Sequence, residues 1–149
     1  MFYGEFEHTV DKKGRLIVPA KFREIYKERY TEKFYITRGL DKCLFLFAED
    51  EWKLQEKKFK ELPFTRSEAR KFNRLYFSGA SEVICDGQGR ILVSQFLLDH
   101  ASIKNEVMVV GVSDRVEIWS KENWKKYFDD SIESFESLAE KLVEGNSGI

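Results

Sequence analysis

Short apolar runs alternate with charged stretches along the chain. Leu16-Ile17-Val18, Phe34-Tyr35-Ile36-Thr37 and Leu44-Phe45-Leu46-Phe47 are one set, and Ile91-Leu92-Val93, Val107-Met108-Val109-Val110 and Val116-Glu117-Ile118-Trp119 are another. Runs rich in β-branched and aromatic residues, bounded by Gly, Asp and Ser, predict strands and Gly-containing hairpins. Elsewhere the apolar spacing lengthens to the helical period. Trp52, Leu54 and Phe59 predict a helix over 51–62, and Phe72, Leu75 and Tyr76 another over 67–77, with Leu62-Pro63-Phe64 as the break. Trp124, Phe128, Ile132, Phe135, Leu138 and Leu142 predict one long helix over 121–143, with the last five residues frayed. Pro19 suits a first helical turn, so 20–26 reads as a short helix, and Ser94 reads as the N-cap of its counterpart.

The pattern occurs twice. The segment 10–18 is echoed by 85–93, each holding Asp-x-x-Gly-Arg before three apolar residues, and 39–52 aligns with 111–124. Asp11 recurs as Asp86, 75 positions on, and Trp52 as Trp124, 72 positions on, so the second copy is three residues shorter in between. Asp11 with Gly14, and Asp86 with Gly89, read as turn formers: the carboxylate accepts from amides ahead of it and the glycine takes positive φ. Neither copy can bury a stable core alone. The expected fold is α+β with a mainly β core: a pseudo-symmetric barrel of interleaved hairpins with peripheral helices.

Charge sharpens this picture only locally. The 149 residues hold 25 Lys and Arg against 26 Asp and Glu, so the molecule as a whole carries no polycationic signature. Within 8–29, however, seven Lys and Arg face three acids, and within 53–74 eight face three; within 117–144 four face eight. A ribbon tip bearing Lys12, Lys13 and Arg15 suits DNA, the lysines on phosphates and the guanidinium on a guanine edge in the major groove. The second tip offers Arg90, with Gln88 suited to adenine. The plainer reading has Asp11 and Asp86 capping their turns and pairing with Arg15 and Arg90, and the lysines solvated. The basic stretch 53–74 reads as the solvated face of a helical pair near an acidic neighbour. The abundance of Phe, Tyr and Trp predicts aromatic surface buried between subunits.

Catalytic chemistry finds no foothold. Cys43 and Cys85 lack metal-ligand spacing and a disulfide framework, which predicts a reducing, cytoplasmic setting. There is no leader-like start and no apolar run of about 18 residues. His8 and His100 are isolated; Glu5 and Glu7 beside His8 fit edge-strand alternation. Gly87-x-Gly89 lacks the third glycine of a dinucleotide fingerprint and no Walker-type lysine follows. No metal, cofactor or small-molecule substrate is expected, which disfavours a small hydrolase or metal enzyme.

Several motifs together resemble the MraZ family over nearly the whole chain. They are Met1-Phe2-x-Gly4, Asp11-x-Lys13-Gly14-Arg15-Leu16-x-Val18-Pro19, Arg23-Glu24, Cys43-Leu44-x-Leu46 and Glu51-Trp52. Further on come Ser78-Gly79-Ala80-x-Glu82, Asp86-Gly87-x-Gly89-Arg90-Ile91-Leu92, Glu106-Val107-Met108-x-Val110-Gly111 and Glu117-x-Trp119. The resemblance implies two AbrB-like (SpoVT-AbrB) swapped-hairpin modules, at 5–47 and 79–122, with a connecting helical pair at 48–78 and a final helix and tail at 123–149. It also implies a ring-shaped homo-oligomer, nucleoid-associated, that binds short promoter direct repeats in double-stranded DNA. Such a protein is a transcriptional regulator, generally a repressor, of the division and cell-wall gene cluster. The family's DNA-contacting motif falls on Lys13 and Arg15, with Arg90 as the counterpart; Lys12 and Gln88 rest on charge and hydrogen-bonding capacity alone. Tyr3 stands where a basic residue is common in the family, and Gly87-Gln88 replace the first copy's two lysines. The alternative expectation is a non-catalytic oligomeric scaffold or protein-interaction module.

Overall fold

The computed structural model describes residues 1–28 and 33–146. The first copy supplies β1 (Phe2–Thr9), β2 (Arg15–Ile17), α1 (Ala20–Glu28), β3 (Lys33–Arg38), β4 (Leu44–Ala48), α2 (Glu49–Lys60) and α3 (Ser67–Ser78). The second supplies β5 (Ser81–Ile84), β6 (Arg90–Leu92), α4 (Gln95–His100), β7 (Glu106–Ser113), β8 (Arg115–Ser120) and α5 (Lys121–Ser131). A 3-10 turn (Ile132–Ser134) then leads into α6 (Phe135–Asn146).

Six strands form one antiparallel sheet in the order β1-β7-β8-β4-β3-β5, which reads the same from either end when the copies are exchanged. Its centre is the pairing of β4 with β8, Leu44 opposite Ile118 and Leu46 opposite Val116. Its flanks cross between copies: β1 lies along β7 from Phe2↔Ser113 to Thr9↔Glu106, and β5 lies along β3. The remaining strands, β2 and β6, pair with each other as a separate ribbon.

The fold is therefore α+β with a mainly antiparallel sheet, but the expected barrel does not close. Each ribbon strand is three residues long and is paired to the other. Too short to bridge from β1 to β5, they leave the sheet open at both flanks.

Alternation along each strand divides the apolar residues between two faces. Leu44, Leu46, Ala48, Val116 and Ile118 join Leu16, Ile91, Phe22 and Leu97 in the core beneath the ribbon, α1 and α4. Phe45, Phe47 and Trp119 join Trp52 and Tyr76 on the opposite face, against α2 and α3. In α1, Phe22 and Tyr26 are one helical turn apart and both buried, with Phe22 edge-on to Phe2 at 5.5 Å and to Phe6 at 5.2 Å.

One local expectation needs correction, and two others need a closer statement. The single helix expected over 121–143 is interrupted at Ile132–Ser134. Ser131, Ser134 and the β-branched Ile132 weaken the helix there, while the apolar spacing runs on through the break. The fraying expected of the last five residues concerns 147–149 chiefly, which lie outside the described residues; α6 itself runs through Asn146. Ser94 is the N-cap of α4 as expected, but only its carbonyl serves the helix, accepting from the N–H groups of Leu97 and Leu98; its buried hydroxyl has no partner among the described residues. The side-chain cap occurs instead at Ser120, whose Oγ accepts from the Asn123 amide at 3.0 Å.

The first hairpin's loop contains a glycine as expected, Gly39, whose amide donates to the Cys43 carbonyl at 2.7 Å, but the positive φ values of both hairpins fall on other residues. Asp41 and Lys42 take φ values of 67° and 64° between β3 and β4, and Ser113 takes 62° between β7 and β8. Gly111 lies inside β7 opposite Gly4, where an added Cβ would stand 2.4 Å from the Tyr3 nitrogen. The close approach of two backbones, not a turn, excludes a side chain there.

Gly111→Ala is expected to push β1 off β7 and to cost about 1–3 kcal/mol in urea unfolding. Gly87→Ala, whose Cβ would enter open space, should stay within about 0.5 kcal/mol. Equal effects from the two would contradict the packing described.

Candidate nucleic-acid interface

Each Asp-x-x-Gly-Arg segment folds into the same bonded unit. In the first, Asp11 Oδ1 accepts from the amides of Lys13 and Arg15, both at 2.9 Å, and Oδ2 accepts from Arg15 Nε at 2.6 Å. In the second, Asp86 Oδ1 accepts from the amides of Gln88 at 2.8 Å and Arg90 at 3.0 Å, and Oδ2 from Arg90 Nε at 2.8 Å. Gly14 and Gly89 close the turns at φ 82° and 76° and donate to the carbonyls of Asp11 and Asp86, each at 3.0 Å.

The turns are stitched to each other. Val18 donates to the carbonyl of Gly89 at 2.9 Å, and Val93 donates to the carbonyl of Gly14 at 2.8 Å. Each turn also faces the short helix of the opposite copy. A concavity of about 540 Å3 separates the first turn from α4, lined by Lys12, Lys13, Gln95 and Lys104 among others. One of about 390 Å3 separates the second turn from α1, where Arg23 and Lys27 line it and Arg23 lies against Gly89.

Ribbon register sets what faces outward. Arg15 lies opposite Leu92, Leu16 opposite Ile91, and Ile17 opposite Arg90. Directly paired residues share a face and neighbours in sequence do not. Leu16 and Ile91, each 1% exposed, therefore face the core, and Arg15, Arg90, Ile17 and Leu92 share the outer face. Two residues of strand separate the arginines along the ribbon, about 7 Å. Among the described residues the terminal nitrogens of both guanidiniums have no partner, since the aspartates take only Nε.

The site residues named from the sequence thus fall on one ribbon and its two tips. Lys12 and Lys13 stand on the first tip, Gln88 on the second, and the lysines and glutamine are exposed. Pairing of Arg15 with Asp11 and Arg90 with Asp86, the plainer reading, is present in both turns, and it leaves the outer edge of each guanidinium open. Ile17 and Leu92, 42% and 63% exposed, and Lys104 belong to the same surface and were not singled out from the sequence. Strand parity would have flagged the two aliphatics once the ribbon register was known. Lys104 reaches the surface only through tertiary approach.

The electrostatics follow from these bonds. The backbone N–H of Arg15, then its side chain and the Lys13 amide, hold the Asp11 carboxyl below its ordinary 3.8. Asp86 is lowered in the same way, first by the Arg90 backbone N–H and then by the Gln88 amide. Burial pushes the Cys43 and Cys85 thiols up, the opposite of a reactive cysteine. Among the described residues no group of His, Cys, Asp and Glu could hold a metal ion, and no helix is long and apolar enough to cross a membrane.

A duplicated antiparallel frame presenting two buttressed arginine turns defines the class of protein. The family model described as "MraZ protein, putative antitoxin-like" matches this chain twice, over residues 1–75 and 76–146. The chain belongs to the MraZ family, and its internal repeat is a repeat of that family's unit.

Because the folded carboxyls lie below 3.8, the turns keep this contribution above that value and lose it as pH falls through their lowered folded values. In an NMR titration the amides of Lys13, Arg15, Gln88 and Arg90 should shift with midpoints below pH 3.8. Midpoints at or above it would mean that the carboxylates do not hold these turns.

Proposed function

We propose that this chain is a sequence-specific DNA-binding transcriptional regulator, a repressor of the division and cell-wall gene cluster, that works without catalysis at the nucleoid in the cytoplasm. It acts as a ring-shaped homo-oligomer on short promoter direct repeats, its modules at 5–47 and 79–122 being AbrB-like swapped hairpins. The gene cluster, the repeats and the ring rest on family resemblance; crossing of β1 and β5 between copies supports the swapped hairpins.

The observation that carries DNA recognition is the pair of guanidiniums on one ribbon face, each fixed through Nε. An arginine whose Nε is held by a carboxylate keeps two terminal NH2 groups for the O6 and N7 of guanine. Holding it in place beforehand reduces the entropy lost on binding. Ile17 and Leu92 lie between the arginines and suit thymine methyl groups. Lys12, Lys13 and Lys104 ring the first tip and supply phosphate contacts; the second tip, with Gly87 and Gln88, binds more weakly. Several such ribbons on one assembly bind repeated half-sites jointly, so each can be individually weak.

Fluorescence anisotropy at several salt concentrations tests this reading. Arg15→Ala is expected to weaken binding to repeat DNA by about 1–3 kcal/mol and to blunt discrimination against scrambled DNA. Lys13→Ala should weaken both DNAs alike and lower the salt slope by about 0.9. Unchanged affinity and discrimination in Arg15→Ala would overturn the ribbon reading.

Gly87→Lys restores to the second tip the lysine that the first copy has, at a position where a side chain meets open space. It should strengthen binding to both DNAs and steepen the salt dependence by about 0.9. No change would place the second tip away from DNA.

A further inference from the structure

The two tips of the ribbon carry their positive charge on different elements. On the first it lies in the turn itself, at Lys12 and Lys13. The second turn has Gly87 and Gln88 at those places, so any cation there besides Arg90 comes from outside the turn. The helix that faces this turn is α1 of the opposite copy. It brings Arg23 and Lys27, one helical turn apart, to the concavity of about 390 Å3 between them.

Arg23 is fixed to the end of the ribbon. Its Nε donates to the Val18 carbonyl at 2.9 Å, and the Val18 N–H donates to the Gly89 carbonyl at 2.9 Å, so one residue ties the guanidinium to the second turn. The approach is close because position 89 has no side chain: a Cβ there would stand 2.5 Å from the Arg23 Cζ. Only Nε is committed. Among the described residues Nη1 and Nη2 have no partner, and neither is a fully buried atom. The one acid that lines the concavity there is Asp86, whose Oδ1 already accepts from the Gln88 and Arg90 amides and whose Oδ2 accepts from Arg90 Nε. Arg23 is thus held as Arg15 and Arg90 are held, with its outer edge left for a ligand.

The internal repeat separates this charge from the demands of packing. The offset of 75 residues that carries Asp11 onto Asp86 carries Val18 onto Val93, Phe22 onto Leu97 and Arg23 onto Leu98. Phe22 and Leu97 are both buried, but Leu98 is 6% exposed and belongs to the core, whereas Arg23 is only partly buried. The junction of helix and turn therefore closes around an aliphatic side chain in one copy and carries a cation in the other. A ribbon lying in a major groove is bordered by the two phosphate backbones, and a group that flanks its tip meets a backbone rather than a base edge. A guanidinium with two free NH2 groups matches a phosphate in charge and in geometry.

We propose that Arg23 is the phosphate-binding residue of the second tip, with Lys27 beside it, so that α1 of the first copy supplies to the second turn the backbone contact that its own sequence lacks. The inference rests on DNA recognition by the ribbon. It makes each end of the ribbon a phosphate anchor, the first through its turn and the second through the helix facing it.

Two substitutions separate charge from architecture, read by fluorescence anisotropy on repeat and scrambled DNA at several salt concentrations. Arg23→Gln keeps an N–H donor at the place of Nε and removes the charge; Arg23→Lys keeps the charge and removes that donor. Arg23→Gln is expected to weaken binding to both DNAs alike, about three- to tenfold, and to lower the salt slope by about 0.9 for each ribbon engaged. Arg23→Lys should keep the wild-type slope, and Gly87→Lys added to Arg23→Gln should restore it. The proposal is overturned if Arg23→Gln leaves affinity and slope unchanged, or if Arg23→Lys loses as much slope as Arg23→Gln, the result expected of an arginine that only braces the turn. Arg15→Ala in the same titration distinguishes the two readings. A loss there with none in Arg23→Gln would defeat the assignment of Arg23 alone, whereas a wild type that bound neither DNA would defeat the recognition reading itself.

Discussion

The rest of the structure depends on two reciprocal hydrogen bonds: Val18 to the Gly89 carbonyl and Val93 to the Gly14 carbonyl. Each copy's turn ends in a carbonyl that the other copy's strand satisfies, so neither unit completes its backbone bonding alone. The bonds fix the ribbon register, and the register fixes parity. Leu16 and Ile91 go into the core, and both arginines go to the surface. A slip of one residue would drive two guanidiniums inward and two aliphatics into water, a penalty large enough to leave one register.

Within that frame the aspartates matter for position more than for stability. Asp11 and Arg15 are both about a third exposed, and ion pairs of that kind contribute little to folding. Asp11 nonetheless binds two backbone amides and one guanidinium at once, so the turn conformation and the arginine direction are set by the same carboxylate. Asp86 does the same work in the second turn. A surface interaction with little effect on stability therefore determines which atoms of each arginine remain available to a ligand.

What could be read from the sequence was what is local. Strand runs such as Leu44 to Phe47 have strand composition, and the Asp-x-x-Gly-Arg repeats carry their own turn chemistry, so the elements and the duplication were visible without coordinates. The pairing of β1 with β7 and of β5 with β3 joins residues about 100 and 50 positions apart, and no local pattern encodes it. Closure into a barrel was expected because interleaved hairpins suggest it; the three-residue lengths of β2 and β6 decide otherwise. In the candidate site, charge marked Lys12, Lys13, Arg15 and Arg90. Ile17 and Leu92 resemble core residues until the register turns them outward, and Lys104 joins the first tip only because α4 packs beside it. The break at Ile132–Ser134 was hidden because the apolar period continues through it, although Ser131 and Ser134 were signals of weak helix.

Because the sheet alternates so regularly, its two faces are chemically separate. Phe45 and Phe47 belong to one apolar layer and Leu44 and Leu46 to the other, with the β4 backbone between them. The copies have diverged on both faces without disturbing that backbone. On the ribbon face Lys12-Lys13 became Gly87-Gln88, and on the other face a helix that folds down became one that stands away. The frame that makes the two copies inseparable in folding thus leaves their outward surfaces independent. One duplicated unit in this way presents two chemically unlike surfaces, a ribbon of fixed arginines on one side of its sheet and an aromatic layer on the other.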